Sequence, residues 1–159
     1  MHVQKLKAMT PLFVNNTIAI NAPADKVWDV LTNPAQTRKY MFGCEALSDY
    51  QPGSPLTWEG NFGGQHMVAV KGHVIDIRPG EYLAYTVIDP NNTAIADVPE
   101  NYLTVTYKLT ENNGTTTLDV SQGDFSKVAE GEKRYKDAHN NGEGWNPILV
   151  QIKAIAEGV

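Results

Sequence analysis

Four histidines are the first residues to test, because imidazole is a common metal ligand and titrates near neutrality. His66 and His73 lie seven residues apart in one predicted strand. That odd spacing sends them to opposite faces of a sheet unless a bulge intervenes. His2 stands at the start of the chain, His139 falls in a helical stretch, and no HExxH-type pair occurs. The one cysteine, Cys44, allows neither an internal disulfide nor a thiolate cluster. We expect no metal and no cofactor.

His66 has two readings of its own. It shares phase with Val68, Val70, Gly72 and Val74, the set expected inside. A buried neutral imidazole there could bond a ligand carbonyl or shuttle a proton. Alternatively it sits at the strand end beside Gly63-Gly64, half in water. Glu59, Lys71, Lys108 and Asp119 fall on outward phases, where a charge is simply solvated. No nucleophile elbow is present, and "GNFGG" lacks the lysine and following helix of a phosphate loop. No catalytic residue is assigned.

The remaining candidates are binders rather than catalysts. Asn16 falls in phase with Ile18 and Ile20. An unpaired inward amide costs about 1–3 kcal/mol, so Asn16 needs a water or ligand partner, unless a twist turns it outward. Trp58, Tyr85, Tyr107 and Trp145 have inward phase, and large rings with one polar edge suit either a pocket or plain packing. With Asn16, His66 and Leu149 they form a candidate ligand-binding set of seven. A pocket on the order of 300 Å³ or more, lined by at least four of them, is the expectation.

These side chains need a scaffold. "FVNNTIAI" alternates as a strand, and "NAPADKVWDVL" starts a helix with Asn21 as cap and Pro23 in the first turn. "TNP" starts a second short helix, to about Tyr40, with Asn33 as cap. Residues 52–89 read as three strands broken at Asn61–Gly64 and Pro79-Gly80. "NYLTVTYKLTENNGTTTLDVSQ" is a hairpin turning at Asn113-Gly114. From Ser126 the pattern is helical, interrupted near Gly142–Gly144. In the last segment Trp145, Ile148, Leu149, Ile152, Ile155 and Ala156 form one apolar stripe; Asn146, Gln151, Lys153 and Glu157 fall largely opposite. An antiparallel sheet wetted on one face needs a cover, and this helix is the long element able to supply it.

Length and composition set the outer bounds. The 159 residues read as one domain with its core at about 10–157, and a net charge of −5 argues against nucleic acid. "MHVQKLKAMTPLF" lacks the apolar core of a secretory signal, and nothing approaches a membrane span, so a cytoplasmic protein without membrane insertion is expected.

"IAINAPADKVWDVLTNP", "RPGEYLAYTV" preceded by "GHVIDI", "LTVTYKLTENNGTTTLDVSQGDF" and "GWNPILVQIKAI", in that order, resemble the family named for the activator of the heat-shock-protein-90 ATPase. That family belongs to the START-like, helix-grip superfamily. The resemblance implies an α+β fold, a curved antiparallel sheet of six to seven strands around a long C-terminal helix, with two short helices after the first strand. It also implies an apolar cavity between sheet and helix. The leading expectation is a START-like domain that binds a small hydrophobic or amphipathic molecule there. The alternatives are a co-chaperone-like module with a chaperone partner, and a cyclase or hydrolase using His66 and a tyrosine as acid and base. Monomer and homodimer both stay open.

Overall fold

A computed structural model describes residues 10–159 of the chain; His2, Lys5 and Lys7 lie outside the described residues. Seven strands form one antiparallel sheet in the order β1-β7-β6-β5-β4-β3-β2. They are β1 Val14–Ile20, β2 Glu45–Ser48, β3 Pro55–Phe62, β4 Gln65–Arg78, β5 Tyr82–Val87, β6 Leu103–Asn112 and β7 Thr115–Gly123. The helices are α1 Ala24–Thr32, α2 Pro34–Thr37, α3 Gly131–His139 and α4 Asn146–Glu157. The α+β helix-grip architecture is thus the one expected, with β2 as a short strand that the sequence pattern did not reveal.

The alternation that makes each strand also builds the core. Leu103, Val105, Tyr107 and Leu109 of β6 are buried, as are Leu118 and Val120 of β7. Leu149, Ile152 and Ala156 of α4 close over the same cluster, which Val27, Val30 and Leu31 of α1 complete. A smaller cluster of Val14, Leu103 and Phe125 adjoins it, and Trp145 packs against both.

Two details of the helices differ from expectation. Asn21 does not cap α1: Pro23 holds the cap position, and the Ala24 N–H donates instead to Glu111 Oε1 at 2.7 Å. The carboxylate comes from β6, far away in sequence, and suits the positive end of a helix. Lys153 and Glu157 are not freely solvated either. Lys153 Nζ donates to the Ala19 carbonyl (3.0 Å) and to Glu157 Oε2 (2.5 Å), and that carboxylate accepts the Asn21 N–H at 2.7 Å. Together these pin the end of α4 to the end of β1. Asn33 does cap α2, accepting the Ala35 N–H at 3.0 Å.

The long strand β4 is irregular twice. Trp58 pairs with Val70 but Glu59 pairs with Val68, so Ala69 is an extra residue. Val74 pairs with Tyr85 and Asp76 with Ala84, which makes Ile75 a second one. Each such bulge reverses which side chains face inward along the strand. The first bulge decides what lines the site.

Candidate functional site

The sheet face that carries the core also carries a cleft beyond the N-terminal end of α4. It has a volume of about 410 Å³ and an almost wholly apolar wall. Three neighbouring strands supply its floor in one cross-strand row, Tyr85 beside Val105 beside Gln122. Trp58 and Val70, directly paired on β3 and β4, form one side, and Trp145 at the cap of α4 forms another. Met41, Phe42 and Cys44, from the turns after α2, close the mouth together with Phe62 at the tip of the β3–β4 hairpin.

Polar groups at the floor are few and held in place. Tyr85 and Tyr107 are both buried, and their hydroxyls share a hydrogen bond of 2.7 Å. Burial pushes both phenols well above the ordinary tyrosine range, so they stay protonated and can donate. Their rings meet edge-on at 5.5 Å, and Tyr107 meets Trp145 in the same way at 6.1 Å. The Trp145 indole N–H donates to Gln122 Oε1 at 3.0 Å. An indole N–H is only a donor, so it fixes which end of the Gln122 amide faces it. Cys44 is a buried thiol whose ionisation burial also pushes up, which makes it a poor nucleophile.

Trp145 is positioned from a distance. The helix α4 has no side-chain cap of its own. Asn16 of β1 supplies one: its Oδ1 accepts the Trp145 N–H at 2.9 Å, and its Nδ2 donates to the Glu143 carbonyl at 3.2 Å. Gly144 fits between them with φ +53°; a Cβ there would lie 2.4 Å from Asn16 Oδ1. Asn16 therefore does face inward, as its phase suggests. Its partner is backbone, not a ligand.

The seven candidate residues thus divide. Trp58, Tyr85 and Trp145 line the cleft, three of the seven where at least four were expected. Tyr107 and Leu149 stand behind it as buried packing, and Asn16 acts as the clamp just described. His66 is elsewhere. The bulge at Ala69 reverses the phase of β4, so His66 pairs with Asn61 on the outer face, exposed, and bonds Glu59 Oε1 at 2.8 Å through Nε2. The Thr57 hydroxyl and this His66 bond hold the Glu59 carboxyl below its usual range. The same bulge brings His66 and His73 onto one face, correcting the expectation that they oppose each other; seven residues still separate them by about 20 Å of strand. An acid–base pair of His66 with Tyr85 or Tyr107 is excluded, because the imidazole and the phenols lie on opposite faces of the sheet.

The cleft residues that pattern reading missed have different origins. Gln122 continues the phase of Leu118 and Val120 and was legible in "LDVSQ". Ala69 turns inward only because of the bulge. Met41, Phe42 and Cys44 lie in turns, where no period applies; an apolar pair beside Gly43 was their one signal.

Solved structures reproduce this architecture. ChR145 from Cytophaga hutchinsonii is 32% identical, with 94% of this chain and 97% of that chain covered and a TM-score of 0.72. The Aha1 dimer from Colwellia psychrerythraea is 17% identical over 92% of this chain and 96% of that one, with a TM-score of 0.65. CalU16 from Micromonospora echinospora is 18% identical over 92% and 74% respectively, with a TM-score of 0.65. At such identities the last two speak for the fold alone. No curated protein matches the chain in sequence. The family model described as "Activator of Hsp90 ATPase homolog 1-like protein" matches residues 21–157, from the turn before α1 to the last residue of α4, and the chain belongs to that family.

Proposed function

We propose that this chain binds a small hydrophobic or amphipathic molecule in the cleft between the sheet and the start of α4. The observation that carries this reading is an apolar space of about 410 Å³ walled by Trp58, Tyr85 and Trp145. That volume falls within the roughly 300–1,000 Å³ typical of small-molecule sites. Its aromatic wall gives an apolar ligand large, rigid contact area. N-phenylnaphthylamine, an uncharged apolar fluorophore, is the test. It should bind saturably and quench tryptophan emission, and Ala69→Phe, which fills the wall at the bulge, should weaken it about tenfold or more while the protein stays folded. Unsaturable binding, or no effect of Ala69→Phe, refutes the site.

A second reading, docking of a chaperone partner, is favoured by one observation. Phe42 at the mouth is 80% exposed, with Phe62 and Met67 also exposed. Burying such rings is what a protein interface does. The family name and the solved Aha1 dimer point the same way, the latter also toward a homodimer. Met67→Asp, at an exposed residue outside the cleft lining, separates the readings: it should abolish stimulation of a heat-shock-protein-90 ATPase under docking, and leave N-phenylnaphthylamine in place under ligand binding.

A further inference from the structure

The donors and acceptors around the cleft are unequal, and the imbalance says what the occupant must carry. None of the residues lining it is charged. Trp58 is buried, and among the described residues nothing accepts a hydrogen bond from its Nε1–H. Among the described residues no fully buried side-chain nitrogen or oxygen is left without a partner, so that Nε1 is not sealed, and Trp58 is part of the cleft wall. Gln122 spends its one acceptor on the Trp145 indole. Its Nε2 protons remain, and no described residue takes them. The Tyr85 and Tyr107 hydroxyls share one bond in which either can donate, so their protons are taken up with each other and are not counted toward the cleft.

Two donor groups therefore belong to residues that line one apolar volume, with no cation and no acid in its wall. A ligand made only of hydrocarbon would leave them unpaired once water is expelled. A carboxylate or phosphate would satisfy them, but its net charge would be buried with no opposite charge in the wall, which is strongly unfavourable. A hydroxyl oxygen can accept from these donors too, but it brings a proton that needs an acceptor of its own, which a carbonyl does not. We infer that the occupant is a neutral molecule with an apolar, ring-bearing body and a carbonyl-type acceptor (ketone, ester, amide or quinone oxygen) turned toward Trp58 and Gln122. This rests on the ligand-binding reading above and adds the chemical class to it.

Matched naphthalene probes test it by calorimetry. Acetonaphthone should bind about tenfold more tightly than ethylnaphthalene, in which a methylene replaces the carbonyl, as one net hydrogen bond implies. Naphthoate, similar in shape but anionic, should bind more weakly than the ketone. Acetonaphthone should also shift the Trp58 indole N–H resonance, which ethylnaphthalene should move less. Gln122→Glu keeps an oxygen for Trp145 while removing the donor, and should bring the ketone-to-hydrocarbon ratio toward one. Trp58→Phe should do the same without introducing a charge. Equal binding of ketone and hydrocarbon, or tighter binding of naphthoate, overturns the class while leaving the cleft a binding site. Failure of all three probes to bind removes the site itself and this inference with it.

Discussion

Asn16→Ala is the most informative single perturbation, because Asn16 belongs to β1 yet does the work of a cap for α4. Its loss leaves the Trp145 N–H without its 2.9 Å acceptor and the Glu143 carbonyl without its 3.2 Å donor. Removing a capping side chain costs about 1 kcal/mol, and one further net hydrogen bond costs about 1 kcal/mol more. The third contact, to Asn146 Oδ1 at 3.4 Å, is too long to add much. The expected loss is about 2 kcal/mol. For a chain of this size that lowers Tm by about 4–8 °C. Urea unfolding followed by tryptophan fluorescence should show a lower midpoint with an unchanged slope. Asn16→Asp is the control: it keeps the bond to Trp145 and gains from the helix N-terminus, but sets an oxygen against the Glu143 carbonyl, so its loss should be about half as large. A loss below about 0.5 kcal/mol for Asn16→Ala, against the typical cap value, would refute the clamp.

Three further outcomes follow from the packing and electrostatics. Leu149 is fully buried, so Leu149→Ala should cost about 2–5 kcal/mol in the same denaturation assay. Gly72 stands where a Cβ would lie 1.6 Å from the Thr86 carbonyl oxygen; Gly72→Ala must push β4 from β5, and a thermal melt should report a loss of at least about 2 kcal/mol. The Lys153 ammonium and then the Asn21 N–H hold the Glu157 carboxyl below its usual range. A carboxyl depressed by folding stabilises at and above the ordinary carboxylate range, and that contribution fades as pH falls through its folded value. Glu157→Gln should therefore lower Tm near neutrality and match the parent at about pH 2–3.

Most of the scaffold was legible because it follows from period. Val105, Tyr107, Leu118 and Val120 alternate, Asn113-Gly114 turns, and the stripe from Trp145 to Ala156 names the covering helix. What period could not convey is pairing. The four residues of β2 are too few to show an alternation, and their place at the sheet edge comes from pairing with β3. Glu111 reaches α1 only because the sheet brings β6 beneath it. Inward phase was read correctly for Asn16, Trp58, Tyr85 and Tyr107, since the extra residue of each bulge sits in β4 and leaves the alternation of β1, β3, β5 and β6 intact, and for Trp145 from the helical stripe. It was misread for His66, since a bulge is a relation between two strands and leaves no mark on the composition of either. The mouth formed by Met41, Phe42 and Cys44 depends on tertiary placement of a turn.

The extra residue in β4 has a consequence for how such a site could diversify. With the irregularity at Ala69, Met67 shares the inward side with Trp58 and Phe62, while Val68 and His66 look outward. Sliding the same irregularity to the tip of the hairpin would exchange those sets, bringing an ionisable imidazole to the entrance in place of a thioether. No residue would need to change identity. The chemical character of the entrance is thus encoded in the position of a single pairing offset, and close relatives with similar composition there can present entrances of different polarity.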